Sequence, residues 1–477
     1  MNRLLVSAAH KSSGKTTMSV GLCAALSERG QRVQPFKKGP DYIDPMWLSL
    51  AAGRPCYNLD AYLMDDAALA RCFRSALHGA DLSLVEGNKG LYDGLALDGS
   101  NSNAALAHRL GLPVLLVLDA RGMTRGIAPL ILGYQAFDRN IRTGGVILNR
   151  VGGPRHEAKL RAVIEHYTDV PVLGAVAEDP RLAVVERHLG LMPCAEVGDA
   201  SSRAREIGRV VGAQVDLARV LALAASAEPL ALPAPPPAPP PAPSRPRAAG
   251  VRIGIARDRA FGFYYPDDLA ALEAAGAALV PFDTLHDQRL PAVEGLFIGG
   301  GFPEACMAEL EANASLRNAL RGAIEAGLPT YAECGGLMYL SRSITWQGRT
   351  ARMVGAIPGD AVMHERPVGR GYVHLQPTLA LPWPDAGQAP GLLRGHEFHH
   401  SSLENLDPGV AFAYRVKRGH GVDGAHDGVL VHNVLASYTH LRSAAGSAWA
   451  ARFVAFVRAE AQTRHPAAAL GTAAIPA

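Results

Sequence analysis

The chain has 477 residues, a net charge of +3, 48% hydrophobic and 19% charged residues, a length that exceeds one hydrophobic core and predicts two or three domains. This balance provides no basic concentration for nucleic acid, and six scattered cysteines without Cys-x-x-Cys spacing argue against a zinc site, an iron–sulfur site or a disulfide framework. The longest apolar run, Leu112 to Leu118, falls far short of the ~20 residues of a membrane span.

The N-terminus enters an apolar strand directly, so no signal peptide is expected and the cytoplasm is the expected compartment. Strand Arg3–Ala8 leads into Ala9-His-Lys-Ser-Ser-Gly-Lys-Thr-Thr17 and helix Thr16–Arg29. This is the phosphate-binding pattern G-x-x-x-x-G-K-[ST], with Ala9 in place of the first glycine. Ser13, Gly14, Lys15, Thr16 and Thr17 are therefore candidate ATP-binding residues. Such a loop turns backbone N–H groups toward phosphate, aims a lysine at the β/γ-phosphates and offers a hydroxyl to Mg²⁺.

Strand Val33–Phe36 precedes Lys37-Lys38-Gly-Pro-Asp41-Tyr42-Ile-Asp44-Pro45. Two lysines and two aspartates in so short a space read either as a solvated turn or as a loop in which lysines grip an anion and aspartates orient Mg²⁺ or ammonia. Strand Leu82–Glu86 ends in Glu86, a Mg²⁺-ligand candidate at the C-terminal edge of a sheet. Helix Asn103–Leu110, strand Val114–Asp119, helix Ile127–Phe137, strand Gly145–Asn149, helix Glu157–His166 and strand Val172–Val176 follow. Asn149, at a strand end, is a weak candidate for the base edge of the nucleotide. The alternation predicts a parallel, doubly wound α/β sheet over residues 1–227.

Residues 228–249 contain Pro-Ala-Pro-Pro-Pro-Ala-Pro-Pro-Pro-Ala-Pro and predict an extended polyproline linker. A second α/β domain is expected over 250–447: strand Val251–Ala256, helix Asp267–Ala275, strands Ala278–Phe282 and Gly295–Ile298, helix Ala308–Ala326 and strand Pro329–Ala332. That last strand stops at Cys334-Gly335-Gly336, the shape of a nucleophile elbow, where a thiol at a helix N-terminus is favoured as thiolate. Cys23, Cys56, Cys72, Cys194 and Cys306 have no such context and read as packing. Residues 448–477 read as a helix end and a disordered Ala-rich tail.

Eight motifs carry a resemblance. Phe36-Lys-x-Gly-Pro-Asp-Tyr-Ile-Asp-Pro45, Val85-Glu-Gly-x-x-Gly-Leu-Tyr-Asp-Gly94 and Arg187-His-Leu-Gly-Leu191 lie in the first half. Phe263-Tyr-Tyr-Pro-Asp-Asp-Leu269, Gly299-Gly-Gly-Phe-Pro-Glu304, Ala332-Glu-Cys-Gly-Gly-Leu337, Gly395-His-Glu-Phe-His399 and Ser437-Tyr-Thr-His440 lie in the second. In this order they resemble the cobyrinate a,c-diamide synthases, from residue 1 to about 455.

The resemblance implies a dethiobiotin-synthetase-like P-loop ATP domain and a class I glutamine amidotransferase domain. It implies glutamine hydrolysis, phosphorylation of the a and c side-chain carboxylates of a tetrapyrrole, and displacement of phosphate by ammonia. Carried over by motif, Cys334 is the nucleophile, His440 its base, and Gly299, Gly300 and Gly301 the oxyanion loop. Thr16, Asp44 and Glu86 are metal candidates, and Lys37, Asp41, Tyr42 and Asp44 handle the substrate carboxylate. The implied small-molecule partners are ATP, glutamine and a tetrapyrrole carboxylate, with Mg²⁺, without nucleic acid or membrane, and with a homodimer left open. His396, His399 and His400 read as structural or substrate-positioning rather than metal-binding.

The chain departs from the pattern at Lys38, at Asn88-Lys89, at Arg442 and in the polar loop Gly99-Ser-Asn-Ser-Asn103. Extra charge and amides there would suit another macrocycle, so amidation of sirohaem or a (metallo)sirohydrochlorin is the alternative. A non-amidating P-loop ATPase and a plain phosphotransferase fit less well, since neither needs a glutaminase.

Overall fold

The computed structural model describes residues 2–183, 186–187, 190–230, 250–383 and 391–464. The chain divides into two compact units, Met1–Pro237 and Ala238–Ala477. Most of the expected polyproline segment, 231–249, lies outside the described residues, as do part of the 187–191 motif and the tail after 464.

In the first unit seven parallel strands form one sheet: β1 (Asn2–Ala8), β2 (Val33–Lys38), β3 (Tyr57–Leu59), β4 (Leu82–Glu86), β5 (Val114–Asp119), β6 (Thr143–Val151) and β7 (Val172–Ala177). Their order is β3-β2-β4-β1-β5-β6-β7, so the loop leaving β1 emerges mid-sheet, between neighbours β4 and β5. The strands are continuous apolar runs because helices cover both faces. The helices are α1 (Lys15–Glu28), α2 (Ile43–Ala52), α3 (Asp66–Ala76), α4 (Asn103–Leu110), α5 (Ile127–Phe137), α6 (Pro154–Tyr167), α7 (Ala200–Gly212) and α8 (Leu217–Ala225). Leu4, Leu84, Val117 and Ile147 share a core with Leu22 of α1 and Val211 of α7. Two-residue strands β8 (Glu186–Arg187) and β9 (Gly190–Leu191) form a short hairpin.

The main difference from expectation here is β2, which runs two residues further than Phe36. Lys37 pairs in register with Asn58 and with Glu86. Ladder bonding on both sides overrides the low strand propensity of lysine. Lys37 and Lys38 are thus strand residues on opposite faces, and Asp44 lies in the first turn of α2.

The second unit carries β10 (Val251–Ala256), β11 (Phe261–Phe263), β12 (Ala277–Phe282), β13 (Gly295–Ile298), β14 (Gly300–Gly301), β15 (Thr330–Glu333), β16 (Ser343–Trp346), β17 (Arg349–Arg352) and β18 (Asp360–Met363). These are followed by β19 (Gly369–Pro377), β20 (Leu393–His399), β21 (Ser401–Glu404), β22 (Ala411–Arg418), β23 (His426–Val431) and β24 (Val434–Ser437). Nine strands form the main sheet in the order β12-β10-β13-β15-β24-β23-β22-β19-β20. Strands β12 to β24 in that order are parallel, and the remaining joins are antiparallel. Beyond β24 the chain folds back, and His440 bridges His396 of β20 through two backbone bonds of 2.8 and 3.1 Å. The far edge of the sheet is thereby closed onto the segment that follows β24.

The helices of this unit are α9 (Pro266–Ala274), α10 (Met307–Ala312), α11 (Ala314–Glu325), α12 (Gly335–Leu340) and α13 (Trp449–Arg464). The single helix expected over 308–326 is two, because Asn313 breaks it. Its side-chain amide donates to the carbonyls of Thr284 and Asp287 at 2.9 and 2.8 Å, and its oxygen caps α11. The expected helix end after 447 is a 16-residue helix. Trp449, Phe453, Val454 and Val457 enter the core with Val251, Ile253, Phe297 and Tyr331.

Candidate active sites

In the first unit the phosphate loop turns at Gly14, whose φ of 93° is one that glycine adopts freely. The buried Ser13 hydroxyl donates to the His10 carbonyl at 2.8 Å. Thr17 is half-buried in the first turn of α1. The Thr16 hydroxyl donates to Glu86 Oε1 at 2.7 Å and Asp44 Oδ2 at 3.2 Å. Lys37 Nζ completes the cluster, 2.5 Å from Asp44, 2.8 Å from Glu86 and 3.9 Å from Asp41.

Burial opposes the Lys37 charge, yet Asp44 and Glu86 hold it well above the usual lysine value. Burial likewise opposes the Asp44 charge, but Lys37 keeps its carboxyl below the usual range. Lys15 is lowered by burial and by the neighbouring Lys37. Glu86 Oε2 is buried with no hydrogen-bond partner. A hydroxyl and two carboxylates beside an unsatisfied oxygen fit a hard cation such as Mg²⁺, which takes few protein oxygens and completes its shell with water and phosphate. Among the described residues no group of three or more His, Cys, Asp or Glu is placed to hold a metal ion.

Two residues order the loops around this cluster. Asn149 directs an amide N–H to the Ser13 carbonyl at 2.9 Å and so buttresses the phosphate loop. Asp41 accepts from the backbone N–H groups of Ile43 and Asp44 at 3.0 and 3.1 Å, and so orders the start of α2, where Tyr42 is half-buried. Asn58, which sequence motifs did not single out, donates to the carbonyls of Gly39 and Asp41 and fixes the turn between them.

Lys38 is buried and spends its ammonium on Asn88 Oδ1 at 3.1 Å and on the carbonyl and side chain of Asn101. Asn103 binds the backbone of Asn88 and Gly90, and Ser102 caps α4. The polarity of the 99–103 loop is therefore largely internal scaffolding. That removes Lys38 as an extra charge offered to a substrate.

In the second unit Cys334 sits between β15 and α12 with φ 50° and ψ −105°. A non-glycine residue there carries strain of order 1–3 kcal/mol. The Cys334 N–H donates to the Ser437 carbonyl at 2.7 Å, which ties the elbow to β24. A Cβ on Gly336 would strike the Ile298 carbonyl, so only glycine lets α12 lie this close to β13.

Cys334 is hydrogen-bonded to His440. His440 Nδ1 lies 3.1 Å from Glu333 Oε2. Glu333 Oε1 accepts from the Tyr331 hydroxyl at 2.6 Å and the Leu441 N–H at 3.0 Å. Burial works against a charged imidazole, but the bonds to Cys334 and Glu333 push His440 up to about 10. Glu333 lies within the Ala332-Glu-Cys-Gly-Gly-Leu337 motif and directly precedes Cys334, but the motif alone assigns it no role. Asp427, also missed, is buried and accepts from the N–H groups of Tyr438 and Thr439 at 3.0 Å each. Arg442 is fully buried, pairs with Asp267 at 2.9 Å and lies over the Tyr265 ring.

The three glycines of the expected oxyanion loop do different things. The Gly299 N–H donates to the Tyr264 hydroxyl at 3.0 Å, which fixes the start of this loop. A Cβ on Gly300 would come 2.6 Å from His440 Cε1, so glycine there makes room for the imidazole. Gly301 packs against the Ala260 carbonyl, where no side chain fits.

Residues 5–191 match the family described as the CobQ/CobB/MinD/ParA nucleotide binding domain, and residues 252–447 the CobB/CobQ-like glutamine amidotransferase domain. A cobyrinate a,c-diamide synthase of Magnetococcus marinus is 48% identical over 464 residues, 97% of this chain and 99% of that protein. The chain belongs to the cobyrinate a,c-diamide synthase family. Relatives of the same name from Methanosarcina acetivorans and Listeria monocytogenes are 43% and 39% identical, over 93% and 92% of this chain and 93% and 96% of theirs. The fold class is the one the sequence predicts: two α/β domains, a P-loop nucleotide-binding domain followed by a glutamine amidotransferase. Among the described residues no helix is long and apolar enough to cross a membrane.

Proposed function

We propose that this chain uses ATP and glutamine to amidate the a and c acetate carboxylates of cobyrinate through acyl phosphates. The observation that carries this reading is the pairing of Cys334 with His440 at a strained elbow, in one chain with the Lys15, Thr16, Asp44 and Glu86 cluster. The names of near-full-length relatives support cobyrinate as the acid.

The Cys334 thiolate attacks the glutamine carboxamide carbon, and the His440 imidazolium gives its proton to the departing nitrogen. The C–N bond breaks, ammonia leaves and a thioester remains. Water then adds to the thioester carbon, the C–S bond breaks, glutamate leaves, and the thiol returns its proton to His440. In the first unit the phosphate loop and Lys15 hold the ATP phosphates while a substrate carboxylate oxygen attacks the γ-phosphorus, the bond from that phosphorus to the bridging oxygen breaks and ADP leaves. Ammonia displaces phosphate from the resulting acyl phosphate. Magnesium held by Thr16, Asp44 and Glu86 would neutralise phosphate charge there. The sirohaem alternative loses one of its supports, because Lys38 faces Asn88 and Asn101.

The test offers cobyrinate, hydrogenobyrinate and sirohaem in parallel with ATP, Mg²⁺ and glutamine, and follows each by mass spectrometry. Cobyrinate gains two amides, and Cys334→Ala does so only with ammonium in place of glutamine. A wild-type chain that amidates none of the three overturns the reading, as does a Cys334→Ala chain that still uses glutamine.

A further inference from the structure

We infer that Glu333 is a positioning residue of the glutaminase site: its carboxylate orients His440 and favours the imidazolium beside the Cys334 sulfur. The inference rests on the glutaminase reading of Cys334 and His440.

Adjacent strand residues ordinarily point to opposite faces. Glu333 ends β15, and the chain then turns through the φ of 50° at Cys334. That turn lets two consecutive side chains meet the same ring. Glu333 Oε2 takes Nδ1 at 3.1 Å, which leaves Nε2 for the thiol. The carboxylate cannot swing away, because Oε1 is held by the Tyr331 hydroxyl and the Leu441 N–H. A buried carboxylate so placed needs a cationic partner, since an isolated buried charge is costly.

The neighbouring charged groups are engaged elsewhere, Asp268 with the Ser443 N–H at 2.7 Å. His396 on β20 is pushed down to about 3 by burial and by His440, so it stays neutral. Arg442, two residues after His440, is spent on Asp267. Asp427 bonds the backbone of Tyr438 and Thr439. In the proposed cycle the Nδ1–H stays on Glu333 while Nε2 releases and regains the proton.

Glu333→Gln and Glu333→Asp in the full chain test this through glutamine hydrolysis and the pH profile of Cys334 alkylation by iodoacetamide. In Glu333→Gln, kcat for glutamine falls by about 10²-fold while KM changes by less than about threefold. Without the anion the imidazolium is less favoured, so the alkaline limb of kcat/KM moves to lower pH and the alkylation break, which follows the thiolate, moves to higher pH, each by about one to three units. Glu333→Asp restores part of both. Unchanged profiles in Glu333→Gln overturn the inference, and so does a loss that tracks a lowered melting temperature in both variants. A wild-type chain that hydrolyses no glutamine overturns the glutaminase reading instead, and the alkylation profile still reports on Glu333.

Discussion

Lys38 shows that a charged side chain in a functional motif can be a structural tie. Its ammonium crosslinks β2 to the backbone and amides of the loop before α4, and burial pushes it down to about 8 despite nearby Asp60. In an unfolded chain a lysine titrates near 10.4. Between those values the unfolded chain binds more protons, so this residue makes stability rise with pH. Unfolding free energy in urea, measured from pH 8 to pH 10, should climb more steeply in the wild type than in Lys38→Met; equal slopes would refute the assignment. At this scale legibility depended on whether a role is local. Lys15, Thr16 and Cys334 announce themselves because a phosphate loop and an elbow each need particular neighbours in sequence. Glu333, Asn58 and Asp427 stayed hidden because their partners, His440, Gly39 and the 438–439 backbone, are brought to them only by the fold. The tie from Asn149 to the phosphate loop was hidden for the same reason: nothing before folding places that loop under its amide.

At the scale of the element, the turn from β15 into α12 depends on what lies opposite it. The β11–β14 ribbon must pass close to His440, and Gly300 permits this by having no side chain. In Gly300→Ala the new methyl would meet the imidazole edge, and a displacement of about 1 Å can cost about 10²-fold in rate. Glutamine hydrolysis should fall by that order while synthesis from free ammonium persists; wild-type glutaminase in this variant would show that the ring has room to spare. Boundaries were the least legible feature of the elements. Asn313 splits a helix whose apolar pattern runs straight through it, because the break is enforced by the carbonyls of Thr284 and Asp287, remote in sequence. Strand β2 outruns its apolar stretch because both neighbours supply ladder partners to lysine.

At the scale of the whole molecule, the parallel halves of both sheets were legible as short apolar runs separated by amphipathic helices. The antiparallel half of the second sheet was not. Strands β19, β20 and β22 are interrupted by exposed Arg370, Arg394 and Arg415, and β20 buries Glu397 and His399, so no continuous apolar run marks them. Helix α13 was legible in hindsight, from apolar residues at 449, 450, 453, 454 and 457. A chain truncated after residue 447 would uncover Phe297 and Tyr331 and should lose the cooperative unfolding of the second unit, with glutaminase activity lost as well. A truncated chain that hydrolyses glutamine normally would make the helix dispensable. The seam between His396 and His440 has a consequence for the newborn protein. In the proposed cycle the base is seated only when β20 has found the segment after β24, so an unfinished copy would hold a thiol with no proton donor aligned to it. Chains that have not yet closed this seam would then leave glutamine intact.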